Sequence, residues 1–492
     1  MGLKKGRWFG GQSDRGKKRT ANLGIIPIGG GNNVGNLPVR KKALELLDQY
    51  YEGSQYDNLM PWSMAACQDE YVPIKGRQPL IKYNLPKLAA SRIAGKLIGS
   101  SVFPTFKVDD DPDTEEFIRM IVKVSKLQLN LLSAFRRMAV SGSVLVRFFM
   151  DNGAIRIEKY LSKWCYPEFL PTGDLKSVRI QYVYEDPKDL DESGNPRMKW
   201  FRLDLGQFVD TRFDNPEYQP SDEEPAFQIV SQVQHNLGFV QAEWFRTNED
   251  QFTPDGVSLI GDAVDFFDDM NYSLSQSSQA TSYNQDPQLT VSGLDSEEVN
   301  SLIKSSQKGW NLGREGKASF IESDLGAVSR AMELRDKARL CIQDVIRVAL
   351  LDPEKVVGYA QSAKAMEVLH GPMLELIYEL RPQVEDRITA LVTKMMITTL
   401  IISSSGGPTA VQIPQGYRPK SLGIEVNWPP VFQQTTQDLT DKVRMVTSAT
   451  SANLISRETG LRYLAKDFNI ENIEEEIAKI AEQPVFNPFG AF

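Results

Sequence analysis

Cysteine and histidine are scarce in this sequence of 492 residues. The three cysteines, Cys67, Cys165 and Cys341, lie far apart and form no Cys-x-x-Cys pair. That distribution argues against a disulfide framework or a structural zinc site, and it fits a reducing compartment. Neither of the two histidines, His235 and His370, has a second histidine or cysteine at metal-ligand spacing. The sequence therefore predicts no metal and no other cofactor.

Motifs of catalysis and phosphate binding are also missing. The sequence contains no Gly-x-Ser-x-Gly elbow, no His-Glu-x-x-His pair and no Walker lysine. The glycine-rich stretch "IGGGNNVGN" (28–36) fits no phosphate-loop spacing, and no apolar strand precedes it. We interpret residues 1–39 as a flexible basic arm that contacts DNA or an acidic partner, or is simply solvated. No enzymatic activity is predicted.

The sequence also lacks an excess of positive charge and lacks long apolar runs. The formal net charge is −8, whereas proteins that grip nucleic acid along a groove usually carry the opposite sign. If this chain meets DNA, we expect it to let the DNA pass. No apolar segment follows the basic N-terminus, so no signal peptide is predicted. The apolar run from Met395 to Ile402 is too short for a bilayer, which needs about 20 residues. These features predict a soluble protein without a membrane partner.

The patterns that are present predict an α+β fold that is mainly helical. Apolar residues make up 41% and charged residues 24%, which is ordinary for a globular chain. In the first half, helical patterns at 40–53, 84–100 and 113–142 are followed by strands. The predicted strands lie at 143–150, 154–160, 177–185, 197–205 and 227–238.

Helices dominate the second half. Long helices are predicted at 257–284 and 325–350, and between them lie strand-like pieces "QLTVSG" and "KASFIES". A break at 351–365 precedes a helical pattern that continues to about residue 402, with kinks at Pro372 and Pro382. Final helices are predicted at 437–452, 456–468 and 472–482.

One of these helices has an unusual pattern. The stretch "FFDDMNYSLSQSSQATSYNQDP" (266–287) begins with an apolar stripe and continues almost entirely in serine, glutamine, threonine and asparagine. Within one chain the polar half would have no core to join. The pattern leaves open what the polar half of this helix packs against.

Acidic clusters have two interpretations. The run "DDDPDTEE" (109–116) lacks the ligand spacing of a calcium loop and predicts a helix N-terminus, with Asp113 as the cap. Asp262, Asp265 and Asp269 recur at three and four residues and so share one helical face. They form either a solvated face or an acidic lining. A metal-dependent nuclease site would need a converging basic or histidine partner, and none is apparent.

Several segments together resemble the portal proteins of tailed bacteriophages. They include "LDQYYEG", "NLPKLAASRIAGKLIG" and "AFRRMAVSGSVLVRFFMDNGAIRIEKYLSKWCYPEF" in the first half. They continue with "HNLGFVQAEWFRTNEDQFTPDGVSLIGDAVDFFDDMNYSLSQ", "LLDPEKVVGYAQSAKAMEVL" and "SATSANLISRETGLRYLAKDFNIENIEEEIAKIAEQ". Together, in this order, the motifs cover about residues 40 to 483. The Gln in "FVQAEWF" departs from the proline usual in the family, and "QSAKA" lacks its usual glycine.

The resemblance implies a structural role. A ring of identical subunits, commonly twelve, would sit at one capsid vertex of the virion after synthesis in the host cytoplasm. Double-stranded DNA would be packaged through its central channel by a terminase and later ejected. Head-completion or adaptor proteins, tail proteins, and the major capsid and scaffolding proteins would be the other partners. The alternatives are a head-to-tail adaptor scaffold without a DNA channel and a metal-dependent nuclease.

The resemblance also implies a division of the chain. After the arm at 1–39, it predicts an α+β wing at 40–256, stem helices at 257–284 and 325–350, and a clip at 285–324. A tunnel loop at 351–364, a helical crown at 365–483 and a tail at 484–492 follow.

Candidate functional residues are assigned on this division. Asp262, Asp265 and Asp269 are the candidate channel lining, and Ser273, Ser277 and Ala280 are the candidate stem-packing residues. In the predicted tunnel loop, lysines would touch phosphates transiently while apolar side chains fill the gap between neighbouring loops; an ordinary inter-helix loop is the alternative. The candidates there are Glu354, Lys355, Val356, Val357, Tyr359, Gln361 and Lys364.

Overall fold

The chain folds into two compact units in a computed structural model. The first unit takes the residues up to Leu350 together with Glu375–Pro429, and the second takes Leu351–Leu374 and the residues from Pro430. The structure describes residues 37–66, 68–108, 111–219, 225–248, 254–285, 288–292, 317–321, 325–350, 367–368, 370–411, 413, 417, 423–431, 436–465 and 473–482.

The first unit begins with helices close to their predicted places. Helix α1 spans Leu37–Glu52 and ends at Gly53, whose φ of 81° is left-handed. A short helix α2, Trp62–Ala66, lies between two paired strands, β1 (Met60–Pro61) and β2 (Arg77–Gln78). Helix α3 spans Leu85–Ile98 and is capped by Asn84, which accepts a hydrogen bond from the Lys87 amide. It buries Ile93, Leu97 and Ile98.

The predicted single helix over 113–142 is wrong. Two helices are present, α4 (Pro112–Val124) and α5 (Leu127–Ser141), because Lys126 adopts a left-handed conformation with φ 52°. The predicted cap is also wrong by two residues. Asp111 caps α4 by accepting hydrogen bonds from the Thr114 amide at 3.2 Å and the Thr114 hydroxyl at 2.6 Å, and Pro112 occupies the first turn, where proline is tolerated.

Two antiparallel sheets follow. The first has the order β11-β4-β5, with β4 at Ser143–Asp151, β5 at Ala154–Leu161 and β11 at Ala242–Arg246. A tight turn joins β4 to β5, close to the predicted strand ends, and Asn152 and Gly153 both have positive φ there, at 49° and 83°. At the start of β4, Gly142 lets the backbone approach closely, since a Cβ there would lie 2.0 Å from the carbonyl oxygen of Gly256.

The second sheet has the order β10-β9-β8-β7-β6. Its strands are β6 (Cys165–Phe169), β7 (Leu175–Leu190), β8 (Pro196–Gly206), β9 (Val209–Phe213) and β10 (Ile229–Gln234). The strands predicted at 177–185, 197–205 and 227–238 are confirmed as β7, β8 and β10, and β7 and β8 pair as a hairpin. Strands β6 and β9 had no prediction of their own, because they are short and carry proline or charged residues, which strand propensity disfavours.

Two long helices, α6 and α7, pack against each other. Helix α6 spans Val264–Gln285 after a 3₁₀ turn at Gly261–Ala263, and α7 spans Leu325–Ile346. Helix α6 is about 33 Å long at 1.5 Å per residue, shorter than the sequence predicted. Residues 257–259 are not helical because their backbone binds elsewhere: the Leu259 amide donates to the Ala139 carbonyl at 3.0 Å, and the Thr247 hydroxyl donates to the Val257 carbonyl at 2.7 Å. Strands β12 (Gln288–Ser292) and β13 (Lys317–Ile321) pair antiparallel, at the two predicted strand-like pieces.

Helix α8 spans Gly371–Ser404 and contains Pro382. By length and composition it is the one helix in the described part of the chain that could cross a membrane. Ile377, Ile388 and Met395 of this helix are buried in the protein, whereas Tyr378 and Ile401 are exposed. The core helix of a globular protein can pass the same test. Lys394 of α8 donates to the Ala242 carbonyl of β11 at 3.3 Å, which fastens the helix to the first sheet.

A third strand pair and three C-terminal helices complete the described fold. In the first unit, β14 (Glu425–Asn427) pairs with β3 (Thr105–Lys107). In the second unit, α9 (Thr436–Ser451), α10 (Arg457–Ala465) and α11 (Ile473–Glu482) lie within a few residues of the predicted helices. The α+β prediction is confirmed. The named divisions, from wing to crown, remain predictions.

Candidate channel and assembly site

One side of α6 is fastened to α1 and to the segment at residues 54–83, which connects α1 to α3. The Tyr50 and Tyr56 hydroxyls donate to opposite oxygens of Asp268, at 2.8 and 2.6 Å. Burial and the Asp268 carboxylate both raise the pKa of Tyr56, so that its hydroxyl remains a proton donor. Asp268 is thus an anchoring residue and differs in role from the acidic residues beside it in the sequence.

Polar side chains of α6 continue this attachment. Asn271 accepts from the Tyr83 amide at 2.9 Å, and Ser275 accepts from the Ile81 amide at 3.0 Å. Further along the helix, the Trp62 indole donates to the Gln279 side chain at 2.6 Å. The interpretation that the polar half of this helix has no partner within one chain is therefore wrong, because these side chains satisfy the backbone and indole groups of segment 54–83.

Two of the predicted channel-lining residues, Asp265 and Asp269, lie on a different side of the helix, whereas Asp262 lies in the 3₁₀ turn before it. Asp262, Asp265 and Asp269 are all exposed. Asp269 forms an ion pair with Lys75 at 3.2 Å, and both side chains remain largely in solvent. The half-buried Ser273 and Ala280 lie on the same side of α6 as Asp265 and Asp269, by the helical repeat of 3.6 residues. The accessible side of α6 is consequently polar and acidic.

Ser277 does not share that side. Its side chain is buried within the single chain, and its hydroxyl donates to the Ser273 carbonyl at 2.8 Å. In the single chain Ser277 therefore has almost no surface to offer a neighbour, and packing between copies remains a prediction for Ser273 and Ala280. Ser277 and Met270 are buried opposite the side that holds segment 54–83, which leaves that opposite side for the packing of α7.

A cluster of hydrogen bonds holds the chain at the end of α7. Arg347 has φ 54° and forms a bidentate ion pair with Glu379 at 2.8 and 2.9 Å. The Leu350 amide donates to the Gln343 side chain at 3.0 Å, and Arg339 donates to the Leu350 carbonyl at 2.5 Å.

Arg92 of α3 completes the cluster by donating to the Ala349 carbonyl. Burial and the nearby Arg339 charge lower the pKa of Arg92. These contacts fix Ala349 and Leu350, which lie in the first unit directly before the predicted tunnel loop. The loop candidates themselves, from Glu354 to Lys364, lie outside the described residues.

Other chemistry-bearing groups are placed in structural settings. Cys165 is fully buried, and burial raises the pKa of its thiol. His235 lies 3.5 Å from the Asp210 carboxylate, and its ring accepts from the Leu237 amide. Within the described residues, no group of three or more histidine, cysteine or acidic side chains is placed to hold a metal.

The anchoring residues were missed at the level of sequence, although a signal existed. Asn271, Ser275 and Gln279 recur every four residues and therefore form a polar stripe along one helical face. Such a stripe predicts a partner that offers hydrogen-bond donors to these side chains. The sequence does not indicate which segment is the partner, because residues 62–83 lie about 200 positions away in the chain.

The family described as Phage portal protein, SPP1 Gp6-like, matches residues 35–484. The chain belongs to this family. As a portal protein it is a bacteriophage virion component of the head–tail connector, and the resemblance inferred from the sequence is confirmed. No curated protein matches the chain.

Two solved structures are similar to this portal protein. A chain in the neck of an empty gene transfer agent particle has 11% identity and a TM-score of 0.40, and the match covers 77% of this chain and 88% of that one. A chain in the virion of a native gene transfer agent particle has 11% identity and a TM-score of 0.39, with the same coverage.

Proposed function

We propose that copies of this portal protein close into a ring around a central channel, through which double-stranded DNA enters and later leaves the capsid. The observation that carries the proposal is the division of α6 into three sides. One side binds segment 54–83, a second packs toward α7, and the third, with Asp265 and Asp269, stays accessible and acidic. In a ring, that third side of every copy can face a water-filled axis.

Electrostatics support this arrangement. DNA carries about one negative charge per 1.7 Å, and each phosphate that a protein neutralises strengthens binding. DNA moves most easily through a channel whose wall does not bind it tightly. An acidic wall formed by Asp262, Asp265 and Asp269, in a chain with a net charge of −8, repels the DNA backbone and lets it slide.

The remaining parts of the proposal follow from the family. We infer a ring of about twelve subunits, a number typical of the family that the resemblance implies, with a packaging terminase as the motor and head-completion, adaptor and tail proteins as later partners. Capsid and scaffolding proteins would surround the ring. The segment 351–364, which follows the fixed Ala349 and Leu350, is the proposed channel constriction. The role is structural, and no enzymatic step is proposed.

The test removes the acidic wall without changing its shape. Asp262, Asp265 and Asp269 are replaced together by Asn in purified rings, and retention of linear duplex DNA is measured at low and moderate salt. We expect the variant rings to retain more DNA, and the difference to shrink as salt rises. The matched control replaces the same three residues by Glu, which keeps the charge.

Unchanged DNA retention by the Asn variant would contradict the channel assignment of these residues. Images of the purified protein test the ring itself: a ring with a hole of duplex width supports the proposal. A monomer, or an oligomer without a hole, would overturn it.

A further inference from the structure

Apolar side chains are exposed along one edge of α7. Leu334, Ala338, Cys341 and Val345 recur at intervals of four, three and four residues, which places them on one side of the helix. Leu334 is 61% and Val345 is 43% exposed. Such a stripe normally packs against another element, and in the described single chain its residues remain partly or largely in solvent.

Segment 54–83 presents a second apolar surface. Met64, Tyr71 and Leu80 are 60%, 76% and 50% exposed. Tyr71 is held in place by Arg77, whose guanidinium lies 5.5 Å from the centre of the Tyr71 ring and 5.5 Å from that of Trp62. The same segment is fastened to α6 through the backbone amides of Ile81 and Tyr83. These contacts hold the apolar surface in a fixed position.

The two apolar surfaces flank the acidic side of α6. Segment 54–83 contacts the side that carries Asn271 and Ser275. The opposite side, with Met270 and Ser277, is buried, and by elimination we assign it to the packing of α7 against α6. The accessible side with Asp265 and Asp269 lies between these two attachments around the helix axis. One subunit thus carries two different apolar surfaces on opposite flanks of a polar wall.

We propose that the apolar edge of α7 in one copy packs against Met64, Tyr71 and Leu80 of segment 54–83 in the next copy. Contact between two different surfaces is head-to-tail, and it generates a closed ring when the rotation between copies closes. Every copy then covers both of its exposed apolar surfaces at once. The acidic sides of α6 remain uncovered and meet around the axis. This inference rests on the proposed ring and names the surfaces that build it.

Cross-linking tests the contact directly, because Cys341 lies in the proposed interface and is exposed. In a Cys67→Ser background, Leu80→Cys, Met64→Cys and Tyr71→Cys are each treated with a short bismaleimide. We expect at least one of them to give a ladder of covalent oligomers extending beyond the dimer. Adding Cys341→Ser should abolish the ladder. The control Leu190→Cys, an equally exposed position near the end of β7, should give no link to Cys341.

The outcomes separate this inference from the proposed function. If rings assemble but no cross-link forms at any of the three positions, the proposed interface is wrong and the proposed ring is still supported. Links that stop at the dimer would indicate a two-fold contact and would overturn the head-to-tail arrangement. Absence of rings under all conditions would overturn the proposed function itself.

A pair of substitutions on one helix provides a second measurement. Leu334→Asp places a charge in the proposed interface, and we expect the protein to shift from rings to monomers at equal concentration, measured by light scattering. Leu340→Asp is the matched control, since Leu340 is 59% exposed on the same helix but lies outside the apolar edge. Equal loss of assembly in both variants, or none in the Leu334 variant, would contradict the assignment. Circular dichroism confirms that each variant is folded.

Discussion

Arg40 and Asp255, which lie 215 positions apart in the chain, form a buried bidentate ion pair. The two Arg40 nitrogens donate to the two carboxylate oxygens at 2.5 and 2.9 Å, and the guanidinium also donates to the Cys165 and Ser162 carbonyls. Ser143 adds a hydroxyl donor to Asp255 at 2.5 Å. Burial opposes the charge on Arg40, but Asp255 raises the pKa of the guanidinium overall. The pair joins α1 to the start of β4 and to the loop before α6.

Removing one partner of this pair should strongly destabilise the protein. Asp255→Asn leaves the buried guanidinium without its counter-charge, which typically costs about 3–5 kcal/mol. We expect a marked fall in the thermal unfolding midpoint, measured by circular dichroism. Lys75→Gln, which breaks the exposed pair with Asp269, is the control and should change the midpoint little. Similar thermal midpoints for both variants would show that the Arg40–Asp255 pair contributes little to the stability of the fold.

The polar stripe of α6 gives a second prediction. Asn271→Ala leaves the Tyr83 amide without its acceptor, and Ser275→Ala does the same to the Ile81 amide. We expect each substitution to destabilise the protein by about 1–3 kcal/mol and to accelerate hydrogen exchange at residues 80–84. Gln276→Ala, at an exposed position of the same helix, is the control. Exchange that stays slow in both variants would argue against the anchoring role.

Glu243 of β11 predicts a pH dependence of stability. It is buried with Lys394 and Arg387 of α8 close to its carboxylate. Burial raises the pKa of Glu243, although the two cations partly offset the shift. Between the ordinary glutamate pKa of about 4.3 and the raised value, the folded state binds more protons than the unfolded state. This group therefore makes stability fall as pH rises through that interval.

Glu243→Gln should remove this contribution. We expect the variant's thermal midpoint to decline less than that of the parent protein as pH increases above about 4.3. Glu168→Gln, at a largely exposed ion pair, serves as the control and should preserve the parent profile. Burial also raises the pKa of Asp210, so the Glu243 variant should retain part of the slope. An unchanged profile in the Glu243 variant would contradict the assignment.

The hydrogen-bond cluster at the end of α7 gives a fourth prediction. Gln343→Ala removes the acceptor of the Leu350 amide, and Arg339→Met removes a donor to the Leu350 carbonyl. We expect faster hydrogen exchange in the peptide containing residues 347–350 for each variant, because the backbone there loses its partners. Lys337→Met, on the exposed side of the same helix, should leave this exchange unchanged. Unaltered protection in the two test variants would show that the cluster does not fix this part of the chain.

Local structure was largely readable from the sequence. The alternation in β7 and β8, the Asn-Gly turn after β4, and the glycine after α1 each specify their conformation through nearby residues. Errors arose where two local signals competed. Asp111 and Asp113 are both of a residue type that caps helices. Asp111 is the cap because the helix begins at Pro112 and the Thr114 hydroxyl donates to the Asp111 carboxylate. The break at Lys126 carries no glycine or proline, so no residue in the sequence marks it.

The sequence by itself determined the mixed fold, the lack of a metal-binding pattern and the order of segments that marks a portal protein, because periodicity and spacing are properties of short stretches. Only the tertiary structure decided which side of α6 each residue occupies. Asp268 and Asp269 are neighbours in the chain, yet Asp268 is fastened to two tyrosines and Asp269 is exposed. The difference arises because successive helical residues point about 100° apart, and residues some 200 positions away cover one of those directions.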